Sequence, residues 1–395
     1  MTKMMVISLF LIFPFFLLYV FFILKFTFGW ICLHNVEKTI APTQLPCVSI
    51  IVIYRNESHN ISTLLHSLEK LNYPPDKFEI VFVDDHSFDN TSDIISAFFE
   101  QNKQFRVQLL ALGNDIYGKK QGIEKAVYHA SYSLIACTDA DCIVPENWLY
   151  EFVNYYNHHQ CRLLSAPIAL WSSKTLLEQM QQLEFGSLIA TAAGAIAQQQ
   201  PIMCNGANLF FEKEMYFVLH NEIRKKYHLF SGDDIFLLQA CKKHYGATSV
   251  GFVKSRGALV QTLPLKKVKD VLSQRTRWGA KTKFYTDRFT QLLALCVAVV
   301  SCSILILFVL SCFKVLKWQL PLLLFVLKFL TDFPIMASWT NFIQQKRLLF
   351  YYPITAVIYP FYIVIVVCLM FFKNNTWKFR PLSKKANDKN ATFAQ

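Results

Sequence analysis

Apolar positions follow two different regimes along the chain. Residues 5–32 form a nearly unbroken apolar run containing Pro14 and Lys25. A helix needs about 20 apolar residues to cross a bilayer, so this run predicts a membrane helix. A cleaved signal peptide has a shorter apolar region ending in small residues, so the segment 1–33 reads as an uncleaved anchor. Three more apolar stretches follow at 289–313, 318–340 and 348–372 and predict transmembrane helices over 288–373. Lys328 and Asp332 lie in the middle stretch at i and i+4, where they can pair within one helix. Charges at that depth face protein or water rather than lipid.

Between the apolar ends the pattern changes to short strand-like runs separated by helical ones. Val48–Ile53 is apolar and β-branched, as a buried parallel strand should be. Glu79–Val83 and Ser133–Thr138 repeat the pattern, the first ended by Asp84-Asp85 and the second by Asp139. Over Asn60–Leu71 the residues Ile61, Leu64, Leu65 and Leu68 fall on one helix face. Strand–helix–strand alternation predicts an α/β domain over 46–260 with an open, mostly parallel sheet. Ligands of such sheets bind beyond the carboxyl ends of the strands, where these acidic clusters lie.

Residues 264–286 mix Lys266, Lys267, Lys269, Arg275, Arg277, Lys281 and Lys283 with Leu265, Val268, Val271, Leu272 and Trp278, and Leu263 stands just before them. This reads as an amphipathic helix on the membrane surface, occupying 261–287; a solvated helix closing the α/β domain is the alternative. The segment 374–395 is a basic, polar tail whose end, 383–395, has the composition of disorder. One anchor plus three spans would put this tail and the α/β domain on opposite faces. The positive-inside rule places a basic tail in the cytoplasm, so the orientation stays open at this level.

Composition adds three constraints. The chain is 53% hydrophobic with 36 Phe, more than a soluble protein of 395 residues carries. The formal net charge of +13 suits anionic lipid or anionic substrates. The basic residues are scattered or lie beside apolar segments without zinc-finger or RNA-recognition spacing, so no nucleic-acid partner is expected. The 11 Cys include no CxxC pair and no zinc spacing. They read as free thiols facing a reducing compartment, which predicts a multi-pass membrane protein with a cytosolic catalytic domain.

Four polar clusters carry candidate chemistry. Arg55-Asn56-Glu57 follows the first strand, and Asp84-Asp85-His86-Ser87-Phe88-Asp89 follows the second. Carboxylates there can accept hydrogen bonds from a nucleoside, or they can cap the next helix. Asp139-Ala140-Asp141 ends the third strand; two carboxylates in one turn can approach a hard cation such as Mg²⁺ or Mn²⁺ that bridges diphosphate oxygens. Gly232-Asp233-Asp234 opens an apolar helix, where an acid can either cap or act as a general base toward an acceptor hydroxyl. In Gln274-Arg275-Thr276-Arg277-Trp278, an Arg can clamp phosphate and a Trp can stack on a sugar or base, or both can anchor the helix at the membrane interface.

The order of these clusters resembles glycosyltransferase family 2. Arg55-Asn56-Glu57, Asp84-Asp85-x-Ser87-x-Asp89-x-Thr91, Gly118-Lys119-Lys120, Asp139-x-Asp141, Asp233-Asp234-x-x-Leu237 and Gln274-x-x-Arg277-Trp278 succeed one another over residues 46–280. The last is similar to the QxxRW signature of cellulose, chitin and hyaluronan synthases, also seen in ceramide glucosyltransferases. The resemblance implies a GT-A fold, a nucleotide-sugar donor (a UDP-sugar first) and inverting transfer to a lipid or glycan acceptor. It implies nucleotide contacts from Glu57, Asp84, Asp85, Lys119 and Asp139, and metal contacts from Asp141 and Asp139. It makes Asp234 the base beside Asp233, and assigns Gln274, Arg277 and Trp278 to the diphosphate and acceptor, with Asn205 and Gly206 lining the acceptor site. Gly232-Asp233-Asp234 stands where the family has Thr-Glu-Asp, and few spans follow the domain.

Single transfer to a glycolipid or cell-surface glycan is the leading expectation, with processive polysaccharide synthesis as the alternative. A transporter using Lys328 and Asp332, or a non-catalytic membrane scaffold, are the readings from other classes.

Overall fold

A computed structural model of the chain describes residues 3–34, 45–171, 174–227, 229, 231–372, 376–377 and 380–381, with side chains over 12–370 of these. Most of the basic tail expected at 374–395 lies outside the described residues.

After α1 (Lys3–Cys32) the chain alternates β1 (Val48–Tyr54), α2 (Ile61–Glu69), β2 (Phe78–Asp84), α3 (Thr91–Gln101), β3 (Arg106–Ala111), α4 (Lys119–His129) and β4 (Leu134–Asp139). The second half adds β5 (Cys142–Ile143), α5 (Trp148–His159), β6 (Leu163–Ser165), β7 (Ile168–Leu170), α6 (Leu176–Ala197), β8 (Asn208–Glu212), α7 (Lys213–Arg224), α8 (Asp233–Tyr245), β9 (Val250–Phe252) and β10 (Val260–Thr262). Four helices complete it: α9 (Val268–Ala280), α10 (Arg288–Cys312), α11 (Gln319–Phe342) and α12 (Tyr352–Phe372).

The main sheet has the order β3-β2-β1-β4-β8-β6-β9. The first four strands are mutually parallel, as their β-branched runs predict, while β8 is antiparallel to both β4 and β6. Val48, Ile50 and Val52 are wholly buried; burying each such side chain contributes about 1.5–3 kcal/mol. Register sets the site: Tyr54 pairs with Asp84 and Ile53 with Asp139, so the acidic ends of β2 and β4 flank the end of β1. Because β8 runs antiparallel to β4, Asn208 pairs with Thr138, and the loop Cys204–Ala207 arrives beside Asp139. The Asn208 amide is fully buried and locks this corner, donating to the Pro167 and Ala258 carbonyls and accepting from the Trp148 indole, all at 2.8 Å.

Ile12–Cys32, Arg288–Cys312, Gln319–Phe342 and Lys346–Met370 are long and apolar enough to cross a membrane, which marks a membrane-associated chain. Phe16, Tyr19 and Ile23 of α1 pack on Val300, Ile304 and Leu307 of α10 and Leu324 of α11. Helix α6 lies at the seam between this bundle and the sheet domain. A Cβ on its Gly194 would strike the Phe26 backbone of α1, and one on its Gly186 would strike the Trp339 indole of α11, so these glycines permit close helix approach. Trp30 packs at the same seam, edge-on to Phe252 at 6.4 Å and tilted against Trp339 at 6.0 Å between ring centroids. Lys328 and Asp332 pair as their spacing suggests and gain a third partner: Lys328 Nζ donates to Tyr19 at 3.0 Å, and Tyr19 donates to Asp332 at 2.6 Å.

Candidate active site

A cavity of about 590 Å³ opens beyond the carboxyl ends of β1 and β4, beneath α9. It brings together Glu57, Lys119, Asp139, Asp141, Asn205, Gly206, Asp233, Asp234, Gln274, Arg277 and Trp278, residues the sequence scatters over more than 200 positions. Asp84 and Asp85 are not part of its wall. Asp84 instead accepts from the Ser87 N–H at 2.9 Å, which closes the turn after β2. Asp85 is fully buried and accepts from the Gly118 N–H at 3.2 Å. Gly118 adopts φ +102°, a conformation that favours glycine, directly before α4 begins. Asp85 therefore fixes the turn from which Lys119 projects.

Lys119 sits at the centre of the acidic residues. Its Nζ lies 2.5 Å from Asp139 Oδ1 and 3.4 Å from Asp233 Oδ2. Burial opposes its charge, but Asp139 and Asp233 outweigh burial and hold the ammonium well above the ordinary lysine range. Burial likewise works against ionised Asp233, yet Lys119, Lys281 and Lys120 together keep that carboxyl below its usual value. The neighbouring Asp234 is set differently: its Oδ2 accepts from the Gly206 N–H at 3.3 Å, and Lys281 Nζ stands 3.8 Å from its Oδ1. A Cβ on Gly206 would come within 2.7 Å of Asp233 Oδ2, so a larger residue there must displace that carboxylate.

Gln274, Arg277 and Trp278 occur at i, i+3 and i+4 on α9, so one helix face presents all three to the cavity. Burial pulls the Arg277 guanidinium below its ordinary value against Asp233, Asp234 and Asp139; a guanidinium so shifted stays charged. Arg275 points the other way. It is buried, pairs bidentately with Glu184 of α6, and lies 4.2 Å over the Trp278 ring. Glu57 lines the near side, where its carboxylate accepts from the Asn60 amide at 2.8 Å.

Three features were not legible as site residues. Lys281 was readable only as one basic residue of the amphipathic segment. Lys120 is buried, donates to the Lys226 and Leu229 carbonyls at 2.8 and 2.7 Å, and so ties down the loop leading into Asp233; burial pushes its ammonium down to about 8. The third is an apolar cavity wall from Phe185, Leu188, Ile189 and Ala192 of α6, a helix whose mixture of small and polar residues carries little periodic signal.

The donor chemistry at Asp139 and Asp141 suits a hard cation. Among the described residues, no group of three or more His, Cys, Asp or Glu could hold a metal by itself. Two carboxylates with substrate phosphate oxygens completing the shell is the ordinary arrangement for Mg²⁺, so the residues fit an ion held jointly with a diphosphate.

Comparison with known proteins agrees with this geometry. The sequence model of Glycosyl transferase family group 2 matches residues 134–373, and that of Glycosyl transferase family 2 matches 49–217. The chain belongs to glycosyltransferase family 2. Poly-beta-1,6-N-acetyl-D-glucosamine synthase of Staphylococcus aureus is 27% identical over 169 residues, covering 41% of this chain and 40% of that protein. The Staphylococcus epidermidis synthase of the same name is 26% identical over 160 residues, covering 40% of this chain and 36% of its own length. The matched region thus spans about 40% of the length of these curated relatives. Among solved structures, the mannosyltransferase PcManGT from Pyrobaculum calidifontis, in complex with GDP-Man and Mn²⁺, superposes with a TM-score of 0.54 at 15% identity, over 91% of this chain and 96% of that one. This likeness shows the fold: the expected GT-A α/β domain, with a mostly parallel sheet flanked by apolar helices.

Proposed function

We propose that this family 2 chain is a multi-pass membrane glycosyltransferase, its catalytic domain cytosolic, that moves a sugar from a nucleotide-sugar to a lipid-linked or cell-surface glycan acceptor with inversion. The observation that carries this reading is one cavity in which the Asp139–Lys119–Asp233 chain of charges, Asp234 and the Gln274–Arg277–Trp278 face converge beside an apolar wall. Glu57 would meet the nucleoside, with Asp84 and Asp85 acting behind it by shaping the loops that carry Ser87 and Lys119. Asp139 and Asp141 would hold Mg²⁺ or Mn²⁺ with the diphosphate; the ion would offset charge on the leaving group. Arg277 and Lys281 add fixed positive charge on the opposite side.

Asp234 is the favoured base. Asp233 is committed to Lys119 and held below its usual range, which makes it a poor proton acceptor. In a single displacement the acceptor hydroxyl oxygen bonds to the anomeric carbon as its proton passes to Asp234. The bond from that carbon to the diphosphate oxygen breaks, and its electron pair leaves with the nucleoside diphosphate. Asn205 and Gly206 would border the acceptor. The apolar α6 wall favours an acceptor delivered from the membrane side.

The relatives' name makes a processive N-acetylglucosamine polymer the second reading. Incubating purified protein with a panel of UDP-, GDP- and dTDP-sugars, with Mg²⁺ or Mn²⁺, tests both. Metal-dependent release of one nucleoside diphosphate is expected, and product length separates single from repeated transfer. No turnover with any donor would sink the enzymatic reading.

A further inference from the structure

Arg275 stands among the three residues that α9 turns to the cavity, yet it is not part of the cavity wall. Its guanidinium is buried and directs its donors to two helices at once. Nε donates to the two carboxylate oxygens of Glu184 on α6 at 3.2 and 3.1 Å, and Nη2 donates to the same carboxylate. Nη1 donates to the side-chain oxygen of Gln274. The guanidinium carbon lies 4.2 Å over the centre of the Trp278 ring, which Phe185 of α6 meets at 5.9 Å. Tyr362 of α12 hydrogen-bonds both Arg275 and Glu184.

One guanidinium thus meets two of the three side chains that α9 offers to a substrate. Gln274 gives its oxygen to Arg275 and keeps its NH₂ group for the cavity, where it suits a phosphate or hydroxyl oxygen. Trp278 follows Arg275 by three positions, a spacing at which side chains on a helix are neighbours, so the cation lies on the ring and fixes its plane. Helix α6 sets where this happens. Gln181, one turn before Glu184, accepts from the Leu265 N–H at 3.1 Å and donates to the Leu265 carbonyl at 2.8 Å, just ahead of α9. Helix α6 is itself seated on the bundle at Gly186, against Trp339 of α11. The cavity face of α9 is therefore placed relative to the bundle through Gln181 and Glu184.

We propose that Glu184, acting through Arg275, is the positioning residue for Gln274 and Trp278, and that sugar transfer depends on this clasp although neither member touches substrate. The inference rests on the transfer reaction proposed above. A clasp that only joined α6 to α9 would be replaceable, because an apolar pair of similar volume generally holds two helices as firmly as a buried ion pair. Such a pair cannot hold an amide oxygen or lie as a cation on an indole. Lysine at position 275 would keep a charge for Glu184. As a point charge without the planar fork, it could not serve Glu184, Gln274 and Trp278 together.

Two variants of the full chain in detergent separate placement from cohesion: Arg275→Lys, and the double change Glu184→Leu with Arg275→Met, which leaves no lone buried charge. Each is labelled with 5-fluorotryptophan, and the Trp278 fluorine resonance is identified by its loss in Trp278→Phe. Both variants are expected to unfold close to the parent protein and to keep the thermal shift from the active nucleotide-sugar with Mn²⁺. The Trp278 resonance should move or broaden while those of Trp148 and Trp318 stay in place. Transfer at saturating donor should fall about 10-fold or more, the scale set by a misplacement approaching an ångström. A double variant that transfers within twofold of the parent overturns the inference, as does a Trp278 resonance unmoved in both variants. Loss of folding in the double variant with Arg275→Lys fully active would make the clasp a structural joint only, and overturn it as well. If the parent protein turns over no donor, the proposed reaction fails, while the resonance still decides whether the clasp places the ring.

Discussion

Replacing Gly206 by Ala adds a single carbon at the point where the site is most crowded. The backbone tolerates it, since Gly206 is not among the glycines with positive φ. The new Cβ would lie 2.7 Å from Asp233 Oδ2, 3.3 Å from Lys119 Nζ and 3.5 Å from Asp234 Cβ. Real Cβ contacts essentially never fall under 3.0 Å and rarely under 3.4 Å, so the Asp233 carboxylate must withdraw by roughly 0.3–0.7 Å, taking Lys119 with it. A misplacement of about 1 Å costs on the order of 100-fold in rate, which scales to a loss of roughly 4- to 25-fold in kcat here. Stability should barely change. Pushing one side chain off its rotamer costs about 0.5–1.5 kcal/mol, while replacing Gly by Ala returns about 0.4–1 kcal/mol by restricting the unfolded chain. The assay is sugar transfer at saturating donor alongside thermal unfolding in detergent. Transfer within twofold of the parent protein would refute the claim that Gly206 sets this geometry. So would a loss of activity that merely followed a large fall in unfolding temperature.

Three further outcomes follow from the same contacts. Mn²⁺ and a nucleoside diphosphate should bind synergistically in calorimetry, each weak alone, because Asp139 and Asp141 do not complete a coordination shell; equal Mn²⁺ affinity with and without nucleotide would contradict this. Lys328→Met should lower the unfolding temperature more than the double change Lys328→Met with Asp332→Leu, since a lone buried charge costs about 3–5 kcal/mol whereas an apolar replacement of the pair is near neutral; the reverse order would contradict it. Lys120, pushed down to about 8 by burial, is harder to charge folded than unfolded. Its penalty is full below pH 8 and fades as pH rises toward the ordinary lysine value, so stability should gain across that window and Lys120→Met should flatten the gain. An unchanged pH slope in the variant would count against the assignment.

Much of the site was legible in sequence because its parts follow strand ends. Val48–Ile53, Glu79–Val83 and Ser133–Thr138 could be read as strands from their β-branched runs, and parallel register then forces Asp84 and Asp139 to one edge. What the sequence could not tell is which carboxylate faces the cavity: Asp84 and Asp139 both end strands, but Asp84 is spent on closing a turn and Asp139 meets Lys119. The antiparallel insertion of β8, which delivers Asn205 and Gly206, has no periodic signature of its own. Helix α6 was missed for a related reason. Its polar, small and apolar residues are spread around the helix without a face of their own, and its position depends on Gly194 meeting α1 and Gly186 meeting Trp339. Lys328 and Asp332 were recognisable as an i, i+4 pair, whereas Tyr19, more than 300 positions away, could be joined to them only by the packing of α1 on α11.

The central claim is that Asp234 serves as the base in a cavity whose other groups hold the donor. Asp234→Asn tests it most directly, measured by transfer rate and by the thermal shift from the active nucleotide-sugar with Mn²⁺. The account predicts that the donor still stabilises the variant, because a bound partner adds stability by mass action, while transfer falls on the order of 100- to 10,000-fold. Transfer at the parent rate with the carboxylate gone would contradict it.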